Sequence, residues 1–166
     1  GIGADGGAAL GEAADTVQLS RNVNAVIDGN DIGKNTVNAN QLTVSADAAH
    51  TVSTTAVGVS VSGGIYGSLS VAGTTSLTKV DGAVKAAVYD ISGQNSGFTV
   101  SANQSSDVLL NGVSGALSAS IVGVAAGMSV GVVNDESVTE AEVVDSTLTN
   151  STASAQNTVK AVNTTK

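Results

Sequence analysis

Residues 42–46 read LTVSA, and residues 98–102 read FTVSA, which is 98 − 42 = 56 positions further along the chain. The match continues past these five residues, because Val52 falls on Val108 at the same offset. A period of this size indicates a repeat architecture, in which each copy of the repeat forms the same structural unit.

Both copies continue in the same way after this opening. Each enters a Gly-rich apolar tract, at 56–73 and 113–133, and each closes on a similar phrase, AAVYD (86–90) and AEVVD (141–145). The phrase NAVID (24–28) indicates the end of an earlier copy. We therefore interpret the chain as one segment of a longer repeat protein, with copies at 1–28, 29–90 and 91–145 and the start of another at 146–166.

Within a copy, apolar and small polar residues alternate. Val57, Val59 and Val61 are separated by glycine or serine, and a period of two is typical of a strand with one buried face. We expect the three valines to face inward and Ser60 to face outward. The alternation changes phase at 121–122, which predicts a corner or a bulge where the chain turns onto a new face. The frequent glycines and the composition disfavour a helix throughout.

The composition predicts a thin core. Apolar residues make up 42% of the chain but aromatic residues only 2%, whereas a two-sheet sandwich or a closed sheet needs large inward residues to span about 10 Å between its sheets. A parallel β-helix can use small residues, because its circuits stack only about 4.8 Å apart and identical residues form ladders. We therefore predict an all-β fold, a parallel β-helix (β-solenoid), with about two to three circuits in each repeat copy.

The charges and the cysteine content argue against several function classes. The chain has 14 acids and 6 scattered bases, a formal net charge of −8, which argues against nucleic-acid binding. Because the chain has no cysteine, it has no disulfide, thiolate metal site or cysteine nucleophile. The apolar stretch at 117–133 is too short for the roughly 20 residues of a membrane-spanning helix, and we expect it to form buried strands.

Two stretches resemble calcium-binding loops. GIGADGG (1–7) begins like a calcium-binding nonapeptide that works only in tandem. DGNDIG (28–33) has Ile32 at a position where a calcium loop needs an oxygen ligand. Its own oxygen ligands would be Asp28, Asn30 and Asp31. Since Asp-Gly and Asn are also common in turns, we expect turns here, no metal site, no cofactor, and a stability that does not depend on calcium.

No group of residues indicates catalysis. His50 is the only histidine, and a triad or a zinc site needs partners beside it, so we expect a solvated loop residue. The acidic run consists of Asp135, Glu136, Glu140, Glu142 and Asp145, with no base among them. Two such carboxylates could serve a glycosidase, but the chain has one arginine, Arg21, and few aromatic residues to hold a sugar. We expect a solvated acidic face, no enzymatic activity and no catalytic residues.

The phrases LTVSA (42–46), VGVSVSGGIYGSLSVAG (57–73) and TKVDGAVKAAVYD (78–90) resemble the repeats of hemagglutinin-like and leukotoxin-type filamentous adhesins of Gram-negative bacteria. The resemblance covers nearly the whole chain, and it lies in the pattern of residue types along the repeat more than in identical residues. It implies a right-handed β-helix shaft, export through the outer membrane by a type V route, and attachment to host cells or to other bacteria. No catalytic residue is implied.

From the residues and this resemblance we expect a structural shaft segment of a secreted adhesin at the bacterial cell surface. The expected partners are a receptor or glycan, reached through regions outside this segment, and the type V transporter during export. We also expect lateral or end-to-end self-association. The alternatives are a carbohydrate-active or carbohydrate-binding β-helix, whose sugar groove Tyr66 and Tyr89 would line, and a self-assembling extracellular fibre subunit.

Overall fold

The computed structural model describes residues 2–3, 5–29 and 35–166, and in this part of the chain the regular structure is all β-strand. The strands are β1 (Ile2–Gly3), β2 (Gly7–Asp28), β3 (Asn35–Thr36), β4 (Leu42–Gly64), β5 (Ser68–Tyr89), β6 (Ile91–Asn95), β7 (Phe98–Ala119), β8 (Gly123–Asp135), β9 (Val138–Val144), β10 (Thr147–Asn150) and β11 (Asn157–Thr165). The predictions of an all-β fold and of no helix hold for these residues.

The strands pair in parallel with their equivalents in the next repeat copy. The described strands form sheets in the orders β1-β4-β7-β11, β10-β6-β3 and β2-β5-β8, with β9 also on β5. Ala83 pairs with Val138, 55 residues on, and Asn35 pairs with Ile91, 56 residues on. The prediction of two to three circuits in each copy is wrong, because the neighbour of each paired strand lies about one full repeat away. The arrangement is compatible with a β-solenoid.

The two opening phrases lie side by side on β4 and β7. Ser101 donates a hydrogen bond to Ser45 over 3.3 Å, and the Asn103 amide donates to the Asp47 carboxylate over 2.7 Å, each across 56 residues of sequence. Because parallel in-register strands place equivalent residues next to each other, the repeated phrase is the direct consequence of this pairing.

The corner predicted at the change of phase is present. Residues 120–122 form the bend between β7 and β8. The polar phrase at 134–137 likewise ends β8 and leads into β9. The phrase at 92–97, which marked a connection in the sequence, is instead mostly strand, because β6 covers its first four residues and pairs with β3 and β10. Most of the phrase at 28–35 lies outside the described residues.

The chain divides into two compact units, each built from three stretches of sequence. Unit 1 comprises residues 1–19, 51–79 and 108–134, and unit 2 comprises residues 20–50, 80–107 and 135–166.

Unit 2 has an apolar interior. Its centre contains Val84, Val88, Ile91 and Val100, all nearly or fully inaccessible to solvent, and Leu42 and Val44 pack with them. Side chains of this size fill the space between facing strands, and burying each of them contributes roughly 1.5–3 kcal/mol.

Unit 1 has a different interior, made of hydroxyl groups and very small side chains. Thr54 and Ser76 share a hydrogen bond of 2.7 Å, and Ser60 and Ser70 share one of 2.6 Å, all four being buried. These bonds join β4 to β5 face to face, whereas Thr74 on β5 donates a hydrogen bond to Ser129 on β8, the neighbouring strand of the same sheet. The paired hydroxyls offset the cost of burying polar groups.

The predicted orientation of the valines is therefore wrong. Val57, Val59 and Val61 face solvent, with Val59 66% exposed, whereas Ser60 is only 5% exposed. The reason is the distance between the two layers of unit 1. A Cβ atom on the inward-facing Gly58 would lie 2.3 Å from the carbonyl oxygen of Gly73 in the opposite layer, so a valine does not fit between them.

The apolar stretch at 117–133 forms strands, as predicted, but these strands are not buried. Leu117 and Ile121 are exposed, and so are Val124, Met128 and Val130 on β8. The same layer spacing explains this result, because β7 turns Ser114 and Ser118 inward and its larger side chains outward.

Candidate functional site

A charged cluster lies on the outer face of unit 2, where β9 pairs with β5. Lys85 Nζ is 2.6 Å from a carboxylate oxygen of Glu142 and 3.3 Å from one of Glu140. The Tyr89 hydroxyl donates a hydrogen bond to Glu142, and the Lys85 ammonium lies 5.5 Å from the centre of the Tyr89 ring. We call these four residues the Lys85 cluster.

The contacts within the cluster shift the pKa values of its members in opposite directions. The hydrogen bond to Glu142 is the main cause that raises the pKa of Lys85 above its ordinary value, and that of Tyr89 as well. Contact with Lys85, followed by the bond from Tyr89, lowers the pKa of Glu142 below its ordinary value of 4.5. All these side chains retain access to water, so the ion pairs make a small, salt-sensitive contribution to stability.

We expect a Lys85→Met variant to lose a small amount of thermal stability at neutral pH and low salt. The pKa of Glu142 is depressed in the folded state, so its contribution is complete above about 4.5, the ordinary value, and disappears as the pH falls through the folded value. The difference in melting temperature between the wild type and the variant should therefore close in acid and in 1 M NaCl. A difference that persists under both conditions would mean that Lys85 acts through packing.

This cluster was not predicted from the sequence. The acidic run was expected to be a solvated face without a base, yet Lys85 lies directly opposite Glu140 in the strand register. The offset of 55 between the phrases at 86–90 and 141–145 contained this information, because it places Glu140 at the position equivalent to Lys85. The run also does not form one face, since Asp135 has hydroxyl partners of its own and Asp145 adopts a positive φ of 49° after β9.

His50 lies on β4 and not in a solvated loop, so that prediction is wrong. Its Nε2 is 2.5 Å from the Oγ of Ser106, its register partner 56 residues on, and its Nδ1 is buried without a hydrogen-bond partner. Ser106 is fully buried. A serine nucleophile needs access to substrate and a histidine oriented by a third group, and this pair shows neither.

Asp135 is the acid that could be expected to orient His50, but its carboxylate oxygens accept hydrogen bonds from other residues. It accepts hydrogen bonds from the backbone and the hydroxyl of Ser137 and from Thr165. Burial alone would raise its pKa, but the bonds from Ser137 and Thr165, with a smaller effect of His50, hold the pKa below its ordinary value. The carboxylate is thus kept ionised by hydroxyl groups and makes no hydrogen bond to the His50 ring.

The two calcium-like phrases lie only partly in the described structure. Residues 30–33 of DGNDIG, including Asn30 and Asp31, and residues 1 and 4 of GIGADGG lie outside it. Elsewhere in the described chain there is no cluster of three or more acidic or histidine side chains that could hold a metal ion.

The two tyrosines lie in different units. Tyr66 is in the turn between β4 and β5 of unit 1 and is 69% exposed, whereas Tyr89 at the end of β5 in unit 2 belongs to the Lys85 cluster.

Unit 1 carries an extensive apolar exterior, which we call the outer apolar surface. On the β4–β7 layer it consists of Val57, Val59, Val61, Leu109, Val113 and Leu117. On the β2–β5–β8 layer it consists of Leu10, Leu69, Leu77, Val124, Met128 and Val130. The turns that connect the layers add Ile65, Tyr66, Ile121 and Val122.

The second of these faces contains a groove. Leu10, Val71, Met128 and Val130 border a depression of about 430 Å³ above Gly73, where a Cβ atom would meet no neighbour within 4 Å. Large exposed apolar patches mark sites of contact with a partner or a membrane, so this surface is the clearest candidate interaction site on the described chain.

Within the described residues there is no helix that is both long and apolar enough to cross a membrane. Comparison of the chain with protein-family models, with curated proteins and with solved structures finds no match.

Proposed function

We propose that this chain is a structural shaft segment of a secreted, surface-displayed filamentous adhesin and that it folds as a right-handed parallel β-helix. In this proposal each repeat copy forms one circuit, and stacked circuits hold a binding region away from the cell. The type V transporter of the outer membrane exports the chain, and a receptor or glycan is bound by regions outside the segment.

The parallel register carries the proposal. Paired residues lie between 55 and 61 positions apart wherever the register is defined, and equivalent side chains form ladders such as Ser45–Ser101 and Asp47–Asn103. A structure of this kind extends by repetition without a change in its interior, because each new copy pairs with the last one through the same groups. Such extension is the property that a shaft requires.

The Lys85 cluster favours a shaft over the carbohydrate-active alternative. Sugar-binding sites use open aromatic faces and free hydrogen-bonding groups. Tyr89 has its hydroxyl bonded to Glu142 and Lys85 over its ring, and Tyr66 belongs to the other unit. The absence of cysteine from the whole chain also suits a protein that crosses two membranes unfolded.

Immunogold labelling of the cells that make the protein tests its location and form. Antibodies raised against residues 35–166 should label filaments that extend outward from the outer membrane, and the label should persist on intact, unpermeabilised cells. Label confined to the cytoplasm or the periplasm would contradict the proposal.

Insertion of additional repeat copies tests the β-helix. Residues 42–97 contain one full 56-residue period, so eight extra copies of this segment should lengthen the particle by about 38 Å, at about 4.8 Å per circuit. Small-angle X-ray scattering should show an unchanged cross-section. A length increase of several tens of ångströms for each copy would indicate independent domains joined by linkers.

A further inference from the structure

Unit 1 reverses the usual distribution of polar and apolar side chains. Its interior consists of alanines and of hydroxyl groups, many of them paired as in Ser60–Ser70 and Thr54–Ser76, while Val59, Ile121 and Met128 lie outside, each more than 60% exposed. Scattered surface apolar residues are normal in proteins, but here they cover both outer faces and the turns between them. We propose that unit 1 binds a neutral phospholipid surface and inserts its turns, with the adjoining outer apolar surface, at the boundary between headgroups and acyl chains.

The charge of unit 1 matches such a surface. Its charged residues are Asp5, Glu12, Asp15 and Lys79, and the stretch 108–134 has no charged residue at all. Insertion of the bend at 120–122 within that stretch therefore desolvates no ionised side chain, which is the main cost of moving a protein surface into lipid. Asp5 lies beside the neighbouring turn, next to Gly6 and Gly67, and has to stay at the level of the headgroups. With one lysine and no arginine, unit 1 has no basic cluster for anionic headgroups, so the expected partner is zwitterionic lipid.

The residues of the turns suit the membrane boundary. Ile65 and Tyr66 connect β4 to β5, and Ile121 and Val122 lie in the bend between β7 and β8, all of them exposed. Transfer of isoleucine and valine side chains out of water lowers the free energy. Tyrosine, with an apolar ring and a polar hydroxyl, is enriched at membrane–water boundaries. Insertion to about 5–10 Å, typical of surface-bound proteins, involves only these turns and the strand ends beside them.

A second copy of this chain fits the outer apolar surface less well. The apolar part of the β4–β7 layer, residues 57–61 and 109–117, spans at most about 30 Å along two strands that together are about 10 Å wide, or no more than roughly 300 Å². A stable interface needs about 800 Å² on each partner. A flat partner would also leave the opposite layer and the turns in water, whereas lipid takes up the turns and the adjoining strand ends of both layers together. The proposal does not depend on the shaft function.

Flotation with phosphatidylcholine vesicles tests the proposal on the full chain. The wild type should float with the vesicles, equally at low and high salt, and an Ile65→Ser/Ile121→Ser variant should partition about tenfold less or worse. The matched control is Val26→Ser/Val144→Ser, which removes two exposed apolar residues from unit 2 and should float like the wild type. Circular dichroism should show that all three proteins keep their β structure.

A second readout remains valid if the double variant does not fold. In a Tyr89→Phe chain, Tyr66 is the only tyrosine, and a nitroxide attached high on the acyl chain should quench its fluorescence. No flotation of the wild type, flotation only with anionic vesicles, or unquenched Tyr66 fluorescence would each overturn the proposal. Self-association without lipid that the Ile65→Ser/Ile121→Ser change abolishes, together with no flotation, would assign the surface to a second copy instead.

Discussion

A Ser60→Asp substitution should destabilise unit 1 by several kcal/mol. Ser60 is 5% exposed and its hydroxyl is 2.6 Å from that of Ser70 in the opposite layer. A carboxylate at this position would be buried against hydroxyl groups without a cation, and an unpaired buried charge costs several kcal/mol or more. Since a whole domain is stable by only about 5–15 kcal/mol, urea unfolding followed by circular dichroism should show a large loss or an unfolded unit.

The matched control is the neighbouring residue. Val59→Asp places the same carboxylate on a side chain that is 66% exposed, so the stability should change by about 1 kcal/mol or less. If Val59→Asp lowers the stability more than Ser60→Asp does, the valines face inward, and the assignment of a hydroxyl-lined interior to unit 1 is wrong.

A Gly82→Val substitution should cost about 3 kcal/mol or more. Gly82 has a φ of 128°, a conformation that a side chain strains, and a Cβ atom there would lie 2.0 Å from the carbonyl oxygen of Arg21. That oxygen belongs to the backbone, so it cannot move without disturbing the neighbouring strand. The free energy of unfolding in urea measures the loss.

Gly73→Val is the control on the same strand. A Cβ atom on Gly73 would have no neighbour within 4 Å, because this residue faces the open groove, and β-branched residues favour strands. The stability of this variant should stay within about 0.5 kcal/mol of the wild type or rise slightly. If the two variants lose the same free energy of unfolding, valine destabilises β5 at either position, and the close contact at Gly82 is not the cause.

The repeat and the strands could be predicted because parallel pairing leaves a direct trace in the sequence. Equivalent residues lie side by side, so Ser45 and Ser101, or Asp47 and Asn103, form ladders that favour similar residues one period apart. The predicted number of circuits in each copy was wrong because typical solenoid circuits are shorter than one full repeat of this chain. Composition alone did not indicate strands as long as the 23 residues of β4.

The inward face of unit 1 could not be predicted from the local pattern. Alternation defines two faces of a strand, but which face is buried depends on the space between the layers. At Gly58 that space admits only the smallest side chains, whereas in unit 2 it accommodates Leu42 and Val44. A signal was nevertheless present, because Leu42, Val44 and Ser60 lie on the same face of one continuous strand. The same phase places His50 on the inner side of β4.

The Lys85 cluster could have been found from the repeat. An offset of 55 aligns Lys85 with Glu140, and parallel pairing then places the two side chains on one outer face. The bond from Tyr89 to Glu142 could not be found in this way, because it joins residues 53 positions apart and depends on the reach of the tyrosine side chain.

Cysteine cross-linking tests the central claim, that each repeat pairs in register with the next. The chain has no cysteine of its own, so Ser45→Cys/Ser101→Cys introduces a single pair at positions whose hydroxyls are 3.3 Å apart. A short thiol cross-linker should join this pair almost completely in the folded protein. It should leave Ser45→Cys/Asp107→Cys unlinked, because six further residues of strand add about 20 Å. Efficient linking of the second pair, or of neither pair, would contradict the 56-residue register.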